Sequence, residues 1–174
     1  VRSRGLGDVY KRQTLEHALS QIQISAKSDN AVYTYQVKGI RIANVDGEAD
    51  FNVVNGTWSN NAANDQIYEV KYATPVTLNG TAQSIMERKQ DNGTDYSDNA
   101  MLLPQAVATT AWNVENDKIN TNKGTYISVL LRITKTADNS NVYPAEGTET
   151  YGWVAVPVSF TWNKGNKYVY TLDF

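Results

Sequence analysis

The sequence predicts an all-β fold, a β-sandwich of two mostly antiparallel sheets, on three observations. From Thr14 to Phe174, run after run alternates apolar with polar residues, the period-two pattern of half-buried strands. Asn-Gly and Asp-Gly pairs separate the runs, as hairpin and turn chemistry requires. The composition joins 18 Asn and 17 Thr to 11 Tyr and 4 Trp; Thr, Tyr and Trp suit strands, and Asn suits turns. No long helical stripe and no repeat of fixed period occurs, which argues against propellers and solenoids.

The elements follow in chain order. Ala18, Ser20, Ile22, Ile24 and Ala26 share one face of a first strand. Tyr33, Tyr35 and Val37 alternate in a second, whose parity flips at Gly39 so that Ile40 and Ile42 carry the apolar face. A glycine at a parity switch predicts a bulge or a bend inside one long strand. Asp46-Gly47 turns into a strand through Phe51 and Val53, and Asn55-Gly56 turns again before Trp58. Ile67 to Tyr72 predicts another strand, Thr74-Pro75-Val76 a separate short one, and Asn79-Gly80 a hairpin. Residues 86–99 read as a polar surface loop, and Met101-Leu102-Leu103-Pro104 as a short buried segment at an edge or a strand end. Ile127, Val129, Leu131 and Ile133 define a strand of about ten residues. After a loop over 137–150, Val154, Val156 and Val158 alternate, with Pro157 marking an edge or a bulge. Asn163 to Asn166 turns into a closing strand through Tyr168, Tyr170, Leu172 and Phe174.

Residues 1–13 differ from the rest. They hold Arg2, Arg4, Lys11 and Arg12 against Asp8, with neither alternation nor an apolar signal-peptide core. Asp8 to Gln13 back-translates to GAT GTG TAT AAG AGA CAG, and Ser3 to Gly7 to TCT CGT GGG CTC GGA. Together these resemble a translated transposon adapter from a sequencing library. The expectation is a non-native, disordered segment over 1–13 and a single β-sandwich domain over 14–174. The whole chain carries 16 basic and 18 acidic residues. Removing the four basic residues and one acidic residue of 1–13 leaves 12 and 17, a net charge of −5.

Composition also excludes chemistry. The basic excess of a general nucleic-acid binder is missing. Without cysteine there is no disulfide, thiol nucleophile or thiolate metal site. One histidine, His17, cannot build a site that needs two imidazoles, and it is expected to be structural. No apolar stretch of roughly 18 residues is available to span a membrane. Neither a Gly-x-Ser-x-Gly elbow nor a phosphate-binding glycine loop occurs, so no catalytic residue and no cofactor is expected.

Two acidic stretches carry oxygen ligands at alternate positions. Asp91, Asp95 and Asp98 lie around Gly93 in one, and Asp46, Glu48 and Asp50 in the other. Calcium loops use such a spacing, but Leu102 stands where the first would need its bidentate glutamate. A solvated loop or hairpin is the competing reading. The three Asn-Gly-Thr triplets, at Asn55, Asn79 and Asn92, fit a glycosylation pattern and are read as turns. Of the four tryptophans, Trp58 and Trp112 lie in turn-rich surroundings and are the candidate glycan contacts, whereas Trp153 and Trp162 are expected in the core or its rim.

An ordered set of segments resembles the fimbrillin-like proteins of Bacteroides and its relatives. His17 to Ile22 is similar to that family's opening strand, and Tyr35 to Val45 to its second. Leu102-Leu103-Pro104-Gln105 is similar to its Leu-Pro-Gln element, and Trp162 to Leu172 to its closing hairpin. The resemblance implies a transthyretin-like, Greek-key β-sandwich and a structural or adhesin subunit of surface fimbriae. It further implies export as a lipid-anchored outer-membrane protein and partnership with other fimbrial subunits by strand exchange. Members usually carry a second β domain, so the expectation is the first domain of a longer subunit, truncated at both ends, with no lipid-anchoring cysteine of its own. The alternative is a carbohydrate-binding surface lipoprotein.

Overall fold

A computed structural model describes residues 16–63, 65–86, 88–91, 94–97, 99–107, 124–145 and 150–174, with 88–91 and 94–97 as backbone. The adapter-like segment 1–13, Trp112 and Asp98 lie outside the described residues. Among the described residues the chain is all strand, with no helix. The strands are β1 (Ser20–Lys27), β2 (Tyr33–Val45), β3 (Glu48–Asn52), β4 (Thr57–Ala62), β5 (Gln66–Thr77) and β6 (Gln83–Ser84). There follow β7 (Arg88–Asp91), β8 (Thr94–Ser97), β9 (Ala100–Leu102), β10 (Gln105–Val107) and β11 (Tyr126–Lys135). The last four are β12 (Asn141–Tyr143), β13 (Gly152–Pro157), β14 (Phe160–Trp162) and β15 (Lys167–Asp173).

Two sheets enclose the core. The smaller runs β15-β1-β6, with β9 also on β1; the larger runs β12-β11-β2-β5, with β13 also on β11. Ile22, Ile24 and Ala26 of β1 are fully buried beside Ile40, Ile42, Ile127, Val129 and Leu131 of the larger sheet. Each buried isoleucine or leucine contributes about 1.5–3 kcal/mol relative to exposure, which makes the facing rows the main source of stability. The alternation read in β1, β2 and β11 is the core-facing pattern observed.

The parity switch in β2 is a bulge. Its pairing with β5 jumps from Val37↔Val76 to Gly39↔Lys71, so Lys38 is unpaired there. Gly39 is required by close approach: a Cβ on it would lie 2.7 Å from the Val70 carbonyl oxygen. The same register jump absorbs Tyr72 to Pro75, so the two strands expected over 67–76 are one strand, β5.

Other expectations require correction. Asn79-Gly80 does not close a hairpin: β6 pairs with β1 in the opposite sheet, so this turn carries the chain across the sandwich. Residues 88–91 and 94–97 are paired antiparallel strands and not a loop, with Lys89 opposite Tyr96 and Asp91 opposite Thr94. The loop expected over 137–150 contains β12, which pairs with β11 at Ile133↔Tyr143. Val53 belongs to the β3–β4 turn, 82% exposed. Met101, expected to be buried, is 48% exposed on the edge strand β9. Most consequential, β14 and β15 are not paired: β14 pairs with β10, whereas β15 lies parallel to β1 from Gln21↔Lys167 to Lys27↔Asp173.

The outer face of the larger sheet carries its own cluster. Trp153 of β13 lies opposite Leu130 of β11, and both are buried. The Arg41 guanidinium stacks 3.6 Å above the Trp153 ring and forms an ion pair with Glu69, whose second oxygen lies 3.1 Å from the Lys71 ammonium. Burial alone would raise the Glu69 pKa, but hydrogen bonds from Arg41 and Lys71, reinforced by their charges, hold it below its ordinary value. A carboxylate with a depressed folded pKa stabilises the fold above the ordinary carboxylate pKa, and that contribution is lost as pH falls through the folded value. Glu69→Gln is therefore expected to flatten the acid limb of melting temperature against pH. Parallel acid limbs for wild type and variant would contradict this assignment.

Candidate functional site: the outer edge of β15

β15 has β1 on one side and, among the described residues, no strand on the other. Two hydrogen bonds fix which of its groups face outward. Gln21 N donates to the Asn166 carbonyl (2.9 Å) at the start, and Phe174 N donates to the Lys27 carbonyl (3.1 Å) at the end. In a parallel ladder a residue's N–H and C=O point to the same side and alternate along the strand. The groups of Tyr168, Tyr170 and Leu172 thus bond to β1, while those of Lys167, Val169, Thr171 and Asp173 point away from it. Charge marks both ends of this edge, with Asp173 paired to Lys27 at 2.8 Å, and its middle is uncharged.

The inner face of β15 is aromatic and incompletely covered. Tyr168, Tyr170, Leu172 and Phe174 pack on the core yet remain half-buried. Tyr170 contacts Phe160 with ring centroids 4.1 Å apart, and its hydroxyl accepts a hydrogen bond from the Trp162 indole at 3.0 Å. Burial raises the Tyr170 pKa. The Tyr168 hydroxyl sits among donors, Asn163 N at 2.9 Å and the Asn163 and Asn166 side-chain amides at 3.3 and 3.4 Å. The Asn166 bond, then those from Asn163, hold its pKa below the ordinary value. Phe174 closes the row against Tyr35, 5.6 Å between centroids.

In the two core sheets, the other edge strands among the described residues are β5, β6, β9, β12 and β13, and each is short or carries proline, features that discourage pairing. β6 and β9 are two and three residues long, with the β7–β8 pair between them in sequence. β5 contains Pro75 and β13 ends on Pro157. β15 is seven residues long, without proline and with an uncharged middle, whereas the middle of the longer edge strand β5 carries Glu69 and Lys71, so β15 is the edge of the core sheets best suited to receive a strand.

The start of the smaller sheet is clamped from two directions. The Trp58 indole donates to the Ala18 carbonyl at 2.6 Å, and its ring packs on Phe51 at 4.7 Å. Lys164 donates to the Gly56 carbonyl at 2.7 Å and pairs with Glu16 at 3.3 Å. Trp58, a sequence candidate for glycan contact, is thus half-buried with its polar atom turned inward. Trp153 and Trp162 are both buried, as expected. His17 is exposed and lines a shallow pocket with Leu19, Met101 and Lys167.

The calcium candidates are placed only in part. Asp91 and Asp95 belong to β7 and β8, with Asp95 opposite Gln90. In the other acidic stretch, amides from β4 answer the carboxylates: Asn61 donates to Asp46 at 3.0 Å and Asn60 to Asp50 at 2.7 Å. No group of three His, Asp or Glu suited to a metal occurs among the described residues.

Comparison with known proteins gives the class. The family model described as fimbrillin-like matches residues 13–174, from the last residue of the adapter-like stretch to the end. The chain belongs to the fimbrillin-like family. Among solved structures it is similar to a fimbrial protein from Bacteroides vulgatus, at 17% identity and a TM-score of 0.35. That similarity covers 89% of this chain and 50% of the other, so the chain spans about half that protein's length. No curated protein matches it.

Proposed function

We propose that this chain forms part of a cell-surface fimbrial subunit that assembles by receiving a strand from a neighbouring subunit along β15. The observation that carries the reading is the outer edge of β15, an uninterrupted row of outward N–H and C=O groups above half-buried aromatic side chains. An added strand would pair with the groups of Val169 and Thr171 and cover Tyr168, Tyr170 and Leu172, which is β-augmentation between chains. Main-chain bonds would supply affinity, and the aromatic row would select alternating apolar side chains from the partner. Export to the surface and anchoring in the outer membrane are part of this proposal, and membership of the fimbrillin-like family supports them.

The test is polymer formation by the complete protein, comparing wild type with Val169→Pro. Loss of polymer with an unchanged fold supports the reading. Unchanged polymer contradicts it.

A further inference from the structure

The Asn-Gly turns, which no assembly role absorbs, differ in a way that bears on chemical modification. Asn79 and Asn55 both precede glycine and hold similar side-chain geometry. The Asn79 side-chain oxygen accepts from Thr81 N at 2.9 Å, and that of Asn55 from Thr57 N at 3.2 Å. Each bond folds the amide carbon forward over the next peptide nitrogen and polarises its carbonyl. The nitrogens differ. Gly56 N donates to the Asn52 carbonyl at 2.8 Å, whereas Gly80 N makes no hydrogen bond among the described residues. Space at Gly80 is also open, since a Cβ there would meet only the Asp29 Cβ, at 3.8 Å. Two further asparagines share the side-chain turn, Asn30 to Val32 N and Asn52 to Val54 N, but alanine and valine follow them. A side chain on the following residue hinders attack by its nitrogen.

We infer that Asn79-Gly80 is a site of spontaneous deamidation and that Asn55-Gly56, with the same sequence chemistry, is protected by its turn. Solvent base removes the Gly80 amide proton, and the nitrogen attacks the Asn79 side-chain carbon. The N–C bond forms, the bond to the side-chain nitrogen breaks, and ammonia leaves a succinimide. Water then opens either carbonyl, giving aspartate or isoaspartate. All of Asn79, Gly80 and Thr81 are exposed, so water and base have access.

The site has structural consequences. Ser28 N donates to the Asn79 carbonyl at 2.9 Å, and the Ser28 hydroxyl donates to the Phe174 carbonyl at 2.9 Å. Isoaspartate inserts a methylene into the main chain at the residue that holds the end of β1 beside β15.

Ageing of the folded protein in mildly alkaline water enriched in oxygen-18, followed by tryptic mapping, tests this. The peptide 72–88 carries Asn79 as its one asparagine, and the peptide 42–71 carries Asn55 with Asn44, Asn52, Asn60, Asn61 and Asn64, so fragment ions assign the label to Asn55. Label is expected in 72–88 about five- to tenfold faster than at Asn55, the factor that a typical net hydrogen bond sets. In denaturant the rates at Asn79 and Asn55 should converge, and Gly80→Ala should slow labelling of 72–88 in the folded state. Equal rates at the two sites in the folded protein, or no label at Asn79, would overturn the inference.

Discussion

Trp162→Ala is expected to destabilise the domain by about 3–5 kcal/mol, the cost of emptying a large aromatic site in a packed core. Trp162 is 1% exposed, the bulkiest of the fully buried side chains. It stacks on Phe160 at 5.9 Å and donates to the Tyr170 hydroxyl. Truncation leaves both a void and a half-buried hydroxyl without its donor, next to the strand proposed to receive a partner. Trp162→Phe retains most of the volume and loses the bond, so about 1–2 kcal/mol is expected. Urea unfolding of both variants checks the order, and equal losses would show that the hydrogen bond, not the volume, dominates.

Val169→Pro is expected to abolish strand addition while leaving the β1–β15 ladder intact. The Val169 N–H points away from β1, so proline removes a donor the isolated fold does not use. Its side chain is 56% exposed, so the pyrrolidine ring displaces no core contact. Proline is tolerated on edge strands for this reason. Tyr170→Pro is the internal control, because the Tyr170 N–H faces β1 and its ring is packed against Phe160; there the fold itself should suffer, through a lost ladder bond and lost ring packing. One residue's difference in position thus separates an assembly defect from a folding defect. Circular dichroism and sedimentation of the two variants read the two outcomes apart.

Much of the fold was legible because strand alternation is local. Ile22 and Ile24, Ile40 and Ile42, and Ile127 to Ile133 declare their buried face within a few residues, and Gly39 declares the bulge by interrupting parity. What failed was pairing. Nothing near Tyr168 indicates that it lies beside Ile22, 146 positions earlier in the chain, and nothing in Asn79-Gly80 distinguishes a crossover from a hairpin. β14 and β15 flank a turn, yet β15 joins β1 and β14 joins β10. The site was half legible on the same terms. The Tyr-x-Tyr-x-Leu pattern marked a strand, but its free edge exists only through the parallel register with β1. Trp58 looked available because its acceptor, the Ala18 carbonyl, comes from 40 residues away.

The central claim concerns what lies against Val169 in the assembled fimbria, and site-specific photo-crosslinking addresses it directly. Benzoyl-phenylalanine at position 169 of the complete protein, with a second variant carrying it at exposed Val54, provides the comparison. The strand-addition account predicts crosslinks from position 169 to a single extended segment of a neighbouring subunit, formed only in polymer. Polymer that forms normally and gives no intersubunit crosslink from position 169 would contradict it.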